Sequence, residues 1–352
     1  MNTDKKRNHF IPRLLLRRFS SRSNEKIKKG KHSTWLFQKS VDPKLINIKN
    51  IAVGNYFYGK NESQVEDNFQ PTENQFAQIL QELDRGVSPG TYSEELGFIV
   101  WLHAIRTRAL RNQVTAAGDA LFSELGNQIS NPSMIAEFKD RMNDLMDGEF
   151  EKLIRKMPLL EQVKARKHIQ LPGVRAAMLK QARESVTPDS MENIFHQLRS
   201  AMDIVGGFEG ASADGHIKGL ESILESSSPP DHILEASWRV IEAEERGVVL
   251  GDICVFAIGE EGEPGLILKH GNSWQELYLP ISSSQILHAS KEQQSPSLTI
   301  QQINQNSIEF SNEFVCGENE SSLSDRQIQL IGNKSEIMSQ KDIANIVSNL
   351  GR

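Results

Sequence analysis

The chain has 352 residues, of which 38% are hydrophobic and 24% are charged, and it contains 15 phenylalanines and 4 tryptophans. This composition supports a sizeable buried core, which excludes a disordered, collagen-like or low-complexity chain. No apolar run approaches the ~20 residues that a membrane-spanning helix needs, so we expect no membrane partner. The length allows one large domain or two of ordinary size, and we expect two.

Charge is distributed unevenly along the chain. The formal net charge is −6, but residues 1–60 contain 15 Lys or Arg against 3 acidic residues, a local charge of +12, and the remainder carries −18. Such asymmetry indicates a basic face that meets an anionic partner, most often nucleic acid. The alternative is that the basic segment packs against the acidic remainder of its own chain.

The two cysteines, Cys254 and Cys316, allow neither a disulfide framework nor a cysteine-rich zinc site, and they favour a reducing, cytoplasmic setting. The basic N-terminal residues are followed by an apolar patch over residues 10–16, which Pro12 and Arg13 interrupt. We expect no signal peptide here, because signal peptides have an uninterrupted apolar stretch.

The first 60 residues predict a short helix and two strands. Pro12 suits the first turn of a helix, where its missing N–H costs nothing, and the apolar residues after it have helical spacing. Polar and basic residues over 20–31 predict a loop. Aromatic and β-branched residues over 33–38 and 51–58 predict strands.

Helical periodicity dominates the middle of the chain. The predicted helices cover residues 65–83, with an interruption near Pro71, and residues 96–110, 134–157, 173–184 and 191–205. Glycines over residues 206–215 and the Ser/Pro-rich residues 226–230 predict loops that end this helical part.

Beyond residue 230 the pattern changes to short strands at intervals of about ten residues. The predicted strands cover residues 237–241, 248–256, 265–269, 276–279 and 285–288, and a helix is predicted over residues 298–314. We therefore predict an α+β fold in three parts. Residues 1–60 form a helix with short strands, residues 61–225 a helical body, and residues 226–352 a mostly antiparallel sheet with a closing helix that packs with residues 1–60.

The sequence contains no Gly-Lys-Ser/Thr phosphate loop, no dinucleotide-binding glycine motif and no His-Glu-x-x-His zinc motif. The candidate residues are therefore isolated ones. His9 precedes an arginine-flanked helix, where an imidazole could act as a general base near a phosphate or could cap the helix. Arg17 and Arg18 have the planar guanidinium group that suits phosphate recognition, although solvated surface arginines follow the same pattern.

Arg106 lies on the apolar side of the helix predicted over residues 96–110, where an unpaired charge is expensive. Either Glu66 or Glu73 from the preceding helix is expected to pair with it; the alternative is an arginine that serves a site. Asp252 follows Gly251 at the end of an apolar run, a position typical of a turn or of an exposed ligand.

Several of these motifs occur together in one known family. The order His9-Phe10-Ile11-Pro12, Leu16-Arg17-Arg18-Phe19 and Trp35-Leu36-Phe37 resembles the opening of the bacterial domain-of-unknown-function family 4238. The resemblance continues to about residue 315, through Phe57-Tyr58, Glu73, Arg106-Thr107, Trp238, Asp252 and Leu279-Pro280-Ile281-Ser282. The chain departs from the family pattern at Arg108, which replaces a proline, and around Asp252, where Gly-Asp-Ile-Cys replaces Ser-Asp-Asn-Pro.

Members of that family are associated with anti-phage defence, so the resemblance implies an antiviral role. Together with the basic segment, it favours an effector that cleaves nucleic acid. In this hypothesis His9 is the general base, Glu73 and Asp252 are ligands of a divalent ion such as Mg²⁺ or Mn²⁺, and Arg17, Arg18 and Arg106 bind phosphates.

Two other hypotheses remain open from the sequence. One is a non-enzymatic module that recognises nucleic acid or a phage protein and triggers growth arrest, with Arg106 paired to Glu73 in the core. The other is a housekeeping enzyme that acts on a small molecule, which no cofactor motif supports.

Overall fold

The computed structural model describes residues 7–21, 32–58, 63–169, 172–204, 206–226, 228–336 and 339–350. Within these ranges the fold is α+β, as predicted, and its sheets are antiparallel. None of the described helices combines the length and the apolar character that crossing a bilayer requires.

The strands alternate with helical segments only in the N- and C-terminal thirds of the chain. They are β1 (Arg7–His9), β2 (Ser33–Gln38), β3 (Val41–Asn47), β4 (Val53–Asn55), β5 (Ser237–Glu242), β6 (Leu250–Gly251), β7 (Phe256–Gly259), β8 (Pro264–Gly265), β9 (Trp274–Ser282), β10 (Gln285–Ser290) and β11 (Val315–Gly317). The helices of these two regions are α1 (Arg13–Arg18), α10 (Asp231–Leu234), α11 (Ile267–His270), α12 (Ile300–Phe310), α13 (Asp325–Ile328) and α14 (Gln340–Leu350).

The middle of the chain contains helices joined by short turns and has no strand among its described residues. Its helices are α2 (Ser63–Asp84), α3 (Ser93–Ile105), α4 (Arg108–Gln128), α5 (Pro132–Arg155), α6 (Leu159–Ile169), α7 (Pro172–Ser185), α8 (Pro188–Ile204) and α9 (Gly207–Ser226). Single 3₁₀ turns occupy Ile48–Asn50, Pro89–Tyr92, Gly271–Ser273 and Glu320–Ser322.

Three antiparallel sheets organise the strands. The largest has the order β5-β10-β9-β7-β8, and the second has the order β3-β2-β11-β6; β1 and β4 form a two-stranded pair. In the second sheet Leu36 of β2 lies opposite Cys316 of β11. This sheet therefore joins the N-terminal strands to a strand near the end of the C-terminal region.

The described residues form two compact units. The first contains residues 1–115 and 211–337, and the second contains residues 116–210 and 338–352. The boundaries predicted after residues 60 and 225 both lie inside the first unit, because α2, α3 and most of α9 cluster with the sheets. The large buried side chains that fill the first unit include Phe19, Tyr58, Phe69, Phe76, Phe256, Trp274 and Tyr278.

The second unit has a smaller core of its own. Phe195 of α8 stacks on Phe122 of α4 with ring centroids 4.5 Å apart, and Ile129, Ile135 and Met191 pack around them. Gly126 permits this packing, because a Cβ atom there would lie 2.6 Å from the Phe195 ring. A side chain on α4 at this point would therefore displace the aromatic pair.

Helix α2 is continuous through Pro71, where an interruption was predicted. A proline inside a helix costs about 3 kcal/mol, because a backbone hydrogen bond is lost and the ring meets the preceding turn. Val65, Phe69 and Phe76, on both sides of the proline, are all buried in the first core. Burial of each such side chain contributes roughly 1.5–3 kcal/mol, so tertiary packing outweighs the local penalty.

The helix predicted over residues 96–110 is two helices, α3 and α4, which meet at Arg106 and Thr107. Thr107 caps the second helix, because its hydroxyl accepts a hydrogen bond from the Leu110 N–H at 3.2 Å. The predicted break over residues 206–215 is wrong, since α9 begins at Gly207 and continues through these glycines.

Three predicted strands are also largely replaced by other structure. Over residues 248–256 only β6 and the first residue of β7 have strand structure. Residues 265–269 end β8 and then form most of the short helix α11. His270, the last residue of α11, lies against the hairpin of β7 and β8. A Cβ atom on Gly265 would lie 2.6 Å from the His270 ring, so the glycine makes room for that helix. In the predicted strand over residues 51–58, only β4 has strand structure, and a turn follows it.

Candidate phosphate-binding cleft

Helix α1 buries leucines and presents its arginines toward the surface. Leu15 and Leu16 are completely buried, whereas Arg17 is exposed and Arg18 is partly exposed. The two arginines line an open cleft of about 410 Å³ in the first unit. Its described lining is Arg17, Arg18, Ser20, His32, Asp84, Arg246, Ser282, Ser284 and Gln285.

Arg18 forms part of the wall of this cleft. Its Nη1 and Nη2 atoms donate to the two carboxylate oxygens of Asp84 at 2.7 and 2.8 Å. Its Nε donates to the Ile281 carbonyl at 2.8 Å, and Nη2 also donates to Gln285 Oε1 at 2.7 Å. Hydrogen bonds from Arg18 lower the pKa of Asp84, so the carboxylate stays charged. Arg18 therefore holds α1, α2 and β9 together.

Arg17 has the opposite character. It is exposed, and its guanidinium group forms no hydrogen bond or ion pair with any residue that the structure describes. Burial and, second, the charge of Arg17 lower the pKa of His32, which lines the same cleft. All N–H groups of the Arg17 guanidinium are therefore unpaired within the described structure. Such a guanidinium can bind a phosphate group through two parallel hydrogen bonds.

Sequence reasoning missed Arg246, the third arginine of the cleft. Its Nε donates to Glu318 at 2.6 Å and its Nη2 donates to the Ser283 hydroxyl at 2.5 Å, while Nη1 has no partner within the described residues. In the sequence, Arg246 is only a single basic residue after several glutamates. That pattern does not indicate that it lies beside α1, because folding brings the two segments together.

Ser20 contributes the least expected group. The residue is 7% exposed, and its hydroxyl has no hydrogen-bond partner in the described structure. Buried polar groups are nearly always satisfied, and an unmade hydrogen bond costs about 1–3 kcal/mol. Ser20 also belongs to the lining of the cleft, so an unpaired hydroxyl lies at the candidate site.

His9, Glu73 and Arg106 form a second cluster, in the core. Arg106 is 3% exposed and donates to Glu73 Oε1 at 2.6 Å, to the Tyr58 hydroxyl at 2.7 Å and to the His9 carbonyl at 2.8 Å. Its guanidinium also lies 4.0 Å from the centre of the Phe69 ring. Of the two acidic residues considered, Glu73 is therefore the one that pairs with Arg106. The side chain of Glu66 lies outside the described residues.

His9 joins this cluster through its backbone. Burial and the charge of Arg13 lower the pKa of its imidazole to about 4, so the ring is neutral at physiological pH. Its Nε2 atom is buried and has no partner among the described residues. The contacts that hold Arg106 use the His9 carbonyl, so they do not depend on the imidazole.

Asp252 lies in a different place and has a structural role. It is 1% exposed, and its two carboxylate oxygens accept the N–H groups of Asn312 and Glu313 at 2.8 and 2.7 Å. Burial raises the pKa of Asp252 to about 7. The carboxylate therefore secures the turn that leads from α12 into β11.

The structure thus distributes the candidates over three places: Arg17 and Arg18 in the cleft, His9, Glu73 and Arg106 in the core cluster, and Asp252 in the turn after α12. In the part of the chain that is described, no group of three or more His, Cys, Asp or Glu side chains is arranged to hold a metal ion.

A further buried carboxylate, Glu276, was not singled out from the sequence. It accepts hydrogen bonds from the Tyr278 hydroxyl, from the Ser297 N–H at 3.1 Å and from His288 Nε2 at 3.0 Å. Burial raises the pKa of Glu276, but these hydrogen bonds prevail and lower it to about 2. Because both ring-bearing partners are fully buried, the group links β9 to β10 within the sheet.

The fold and the cleft define an α+β protein with an arginine-lined concave surface. The chain belongs to the family described as "Protein of unknown function (DUF4238)", whose profile matches residues 7–321. No curated protein and no solved structure matches it.

Proposed function

We propose that this chain is a bacterial anti-phage defence protein that acts in the cytoplasm by binding nucleic acid at the arginine cleft. The observation that carries the proposal is Arg17, an exposed guanidinium with no described partner, beside a concave surface with further unused donors. The surplus of basic residues over 1–60 supports an anionic ligand. The defence role rests on the family resemblance, and two free cysteines suit a reducing compartment.

A binding measurement tests this function directly. The protein is titrated into labelled single-stranded DNA, duplex DNA and RNA over a range of salt concentrations. Arg17→Ala should weaken binding and reduce the salt slope by about 1, because one phosphate contact releases about one counterion. Arg13→Ala is the matched control, since Arg13 is an exposed arginine of the same helix that does not line the cleft.

The defence role has its own assay. Cells that express the parent protein should reduce phage plating, and the Arg17→Ala variant should lose this protection while Arg13→Ala keeps it. Protection by both variants, at equal protein levels, would show that the cleft does not serve defence. Failure of every nucleic acid to bind would instead refute the binding activity.

A second candidate function is cleavage of nucleic acid with His9 as general base. It is favoured by a neutral imidazole whose Nε2 has no described partner. Glu73 and Asp252, considered as metal ligands in that hypothesis, are held by Arg106 and by backbone N–H groups. Labelled RNA and DNA incubated with Mg²⁺, Mn²⁺ or chelator test this function. Cleavage that His9→Ala abolishes would establish it, and intact substrates would refute it.

A further inference from the structure

The cleft contains donors that internal pairing leaves unused. Arg18 donates four of its five N–H groups to Asp84, Gln285 and a backbone carbonyl. The donors of the lining that have no partner within the described ranges include the whole guanidinium of Arg17, the Nη1 group of Arg246 and the hydroxyl of Ser20. Three separate side chains therefore offer N–H or O–H groups from the lining of one concave surface.

The size of the cleft limits what it can hold. A volume of about 410 Å³ lies in the lower part of the range for small-molecule sites, which is roughly 300–1,000 Å³. A duplex would lie across such a cleft, whereas one nucleotide unit or the end of a strand can enter it. The ligand portion recognised here is consequently a small group rather than a length of helix.

The chemistry of the lining favours phosphate over base. Apart from the imidazole of His32, the described lining has no aromatic ring. Proteins that hold single strands through their bases use aromatic side chains as stacking surfaces. The cleft instead offers guanidinium and hydroxyl donors, which match the oxygens of a phosphate group.

We propose that the cleft recognises a phosphate monoester, as at a phosphorylated strand end or on a free nucleotide, in preference to an internal phosphodiester. A monoester has three terminal oxygens, and the Arg17 fork together with Arg246 Nη1 and the Ser20 hydroxyl can engage all three. A phosphodiester has two such oxygens and would leave a donor unpaired. This inference rests on the proposed function, because it specifies which part of a nucleic acid the same cleft binds.

The test compares a short single-stranded oligonucleotide with a 5′-phosphate to the same strand with a 5′-hydroxyl. A mononucleotide and inorganic phosphate are added as competitors. The phosphorylated strand should bind about tenfold more tightly, since a hydrogen bond to a charged group contributes about 1.5–3 kcal/mol. Both competitors should displace it, because each carries a terminal phosphate group.

Ser20→Ala is the decisive variant. It should lower affinity for the phosphorylated strand more than affinity for the 5′-hydroxyl strand, so the preference for the phosphorylated strand should shrink. Its free energy of unfolding should be no lower than that of the parent, because the substitution removes a buried hydroxyl that makes no hydrogen bond in the described structure. Arg13→Ala should keep the preference for phosphate.

The outcomes separate the two proposals. Equal binding of both strands would overturn the monoester inference and leave nucleic-acid binding in place. Binding of the mononucleotide alone would support the monoester inference and refute nucleic acid as the ligand. If neither strand nor the small phosphates bind, both proposals are wrong.

Discussion

Arg106 shows how a single buried charge organises the centre of the first unit. Its guanidinium connects α2, β1 and the turn after β4 through Glu73, the His9 carbonyl and Tyr58. Burial lowers the pKa of Arg106, but electrostatic attraction to Tyr58 and Glu73, together with the hydrogen bonds to them, more than offsets burial and raises it, so the guanidinium stays charged. Because α3 ends one residue before Arg106 and α4 begins two residues after it, these contacts also hold the junction between the two helices.

Arg106→Ala should destabilise the protein by about 3 kcal/mol, because it leaves Glu73, Tyr58 and the His9 carbonyl without their shared donor. Denaturant unfolding measures the difference. Arg108→Ala is the control: its side chain is 43% exposed and 3.8 Å from Glu313, and such surface pairs contribute about 0–1 kcal/mol. Equal losses in both variants would contradict a structural role for Arg106.

The pairing of Arg106 could be predicted from the sequence, whereas most of the cleft could not. An arginine on an apolar helix face needs an acid nearby, and Glu73 lies on the preceding helix, so local reasoning reaches it. Arg246 and Ser20 are more than 200 residues apart in the chain and line one cleft. No helical or strand periodicity relates two such positions, because tertiary packing alone brings them together.

At the scale of elements, close contact between β6 and α12 depends on Gly251. A Cβ atom at that position would lie 2.5 Å from the Ser307 carbonyl oxygen and would also overlap the Ser311 hydroxyl. Both neighbours belong to the end of α12 or the residue after it. Backbone in a helix cannot move aside cheaply, so the strand can approach the helix only without a side chain.

Gly251→Ala should therefore cost roughly 1–3 kcal/mol through overpacking, and thermal unfolding measures the loss. Gly247→Ala is the matched substitution in the same segment, because a Cβ atom there meets nothing within 4 Å. It should leave the unfolding temperature nearly unchanged. A stable Gly251→Ala protein would show that β6 and α12 can separate without cost.

Aromatic and β-branched residues identified β2, and short strand-like segments at intervals of about ten residues identified β9 and β10. The glycine pattern failed for α9, where only Gly206 and Gly207, at its start, have positive φ, of 89° and 65°. The glycines farther along are compatible with either loop or helix. Burial of Leu220 decides in favour of helix, and burial is not visible in the local pattern.

At the scale of the whole molecule, all the candidate residues and all four tryptophans lie in the first unit. Tryptophan fluorescence therefore reports on that unit alone.

The stability of the first unit should depend on pH in a direction that the pKa shifts of its buried groups determine. Burial lowers the pKa of His103 and of His216 from 6.5 to about 4, and His9 behaves similarly. Burial raises the pKa of Asp252 from 3.8 to about 7, which acts in the opposite direction.

The first unit should lose stability as the pH falls from 6.5 to 4. A histidine with a lowered folded-state pKa contributes stability that is complete above its unfolded pKa of 6.5, and the contribution disappears as the pH falls to about 4. Over that interval His103 and His216 each account for about 3 kcal/mol. Protonation of Asp252 stabilises the folded state by at most about 4 kcal/mol as the pH falls, because the neutral form is favoured there. The loss from the histidines is larger, so the net stability decreases.

His103→Leu tests this balance, because it removes one titrating group from a position lined by Phe76. The variant should show a shallower decline of unfolding free energy between pH 6.5 and pH 4 than the parent protein. Denaturant unfolding followed by tryptophan fluorescence gives both slopes. Identical slopes would exclude His103 as a source of acid sensitivity. A parent protein that gains stability on acidification would mean that Asp252, rather than the buried histidines, governs the unit.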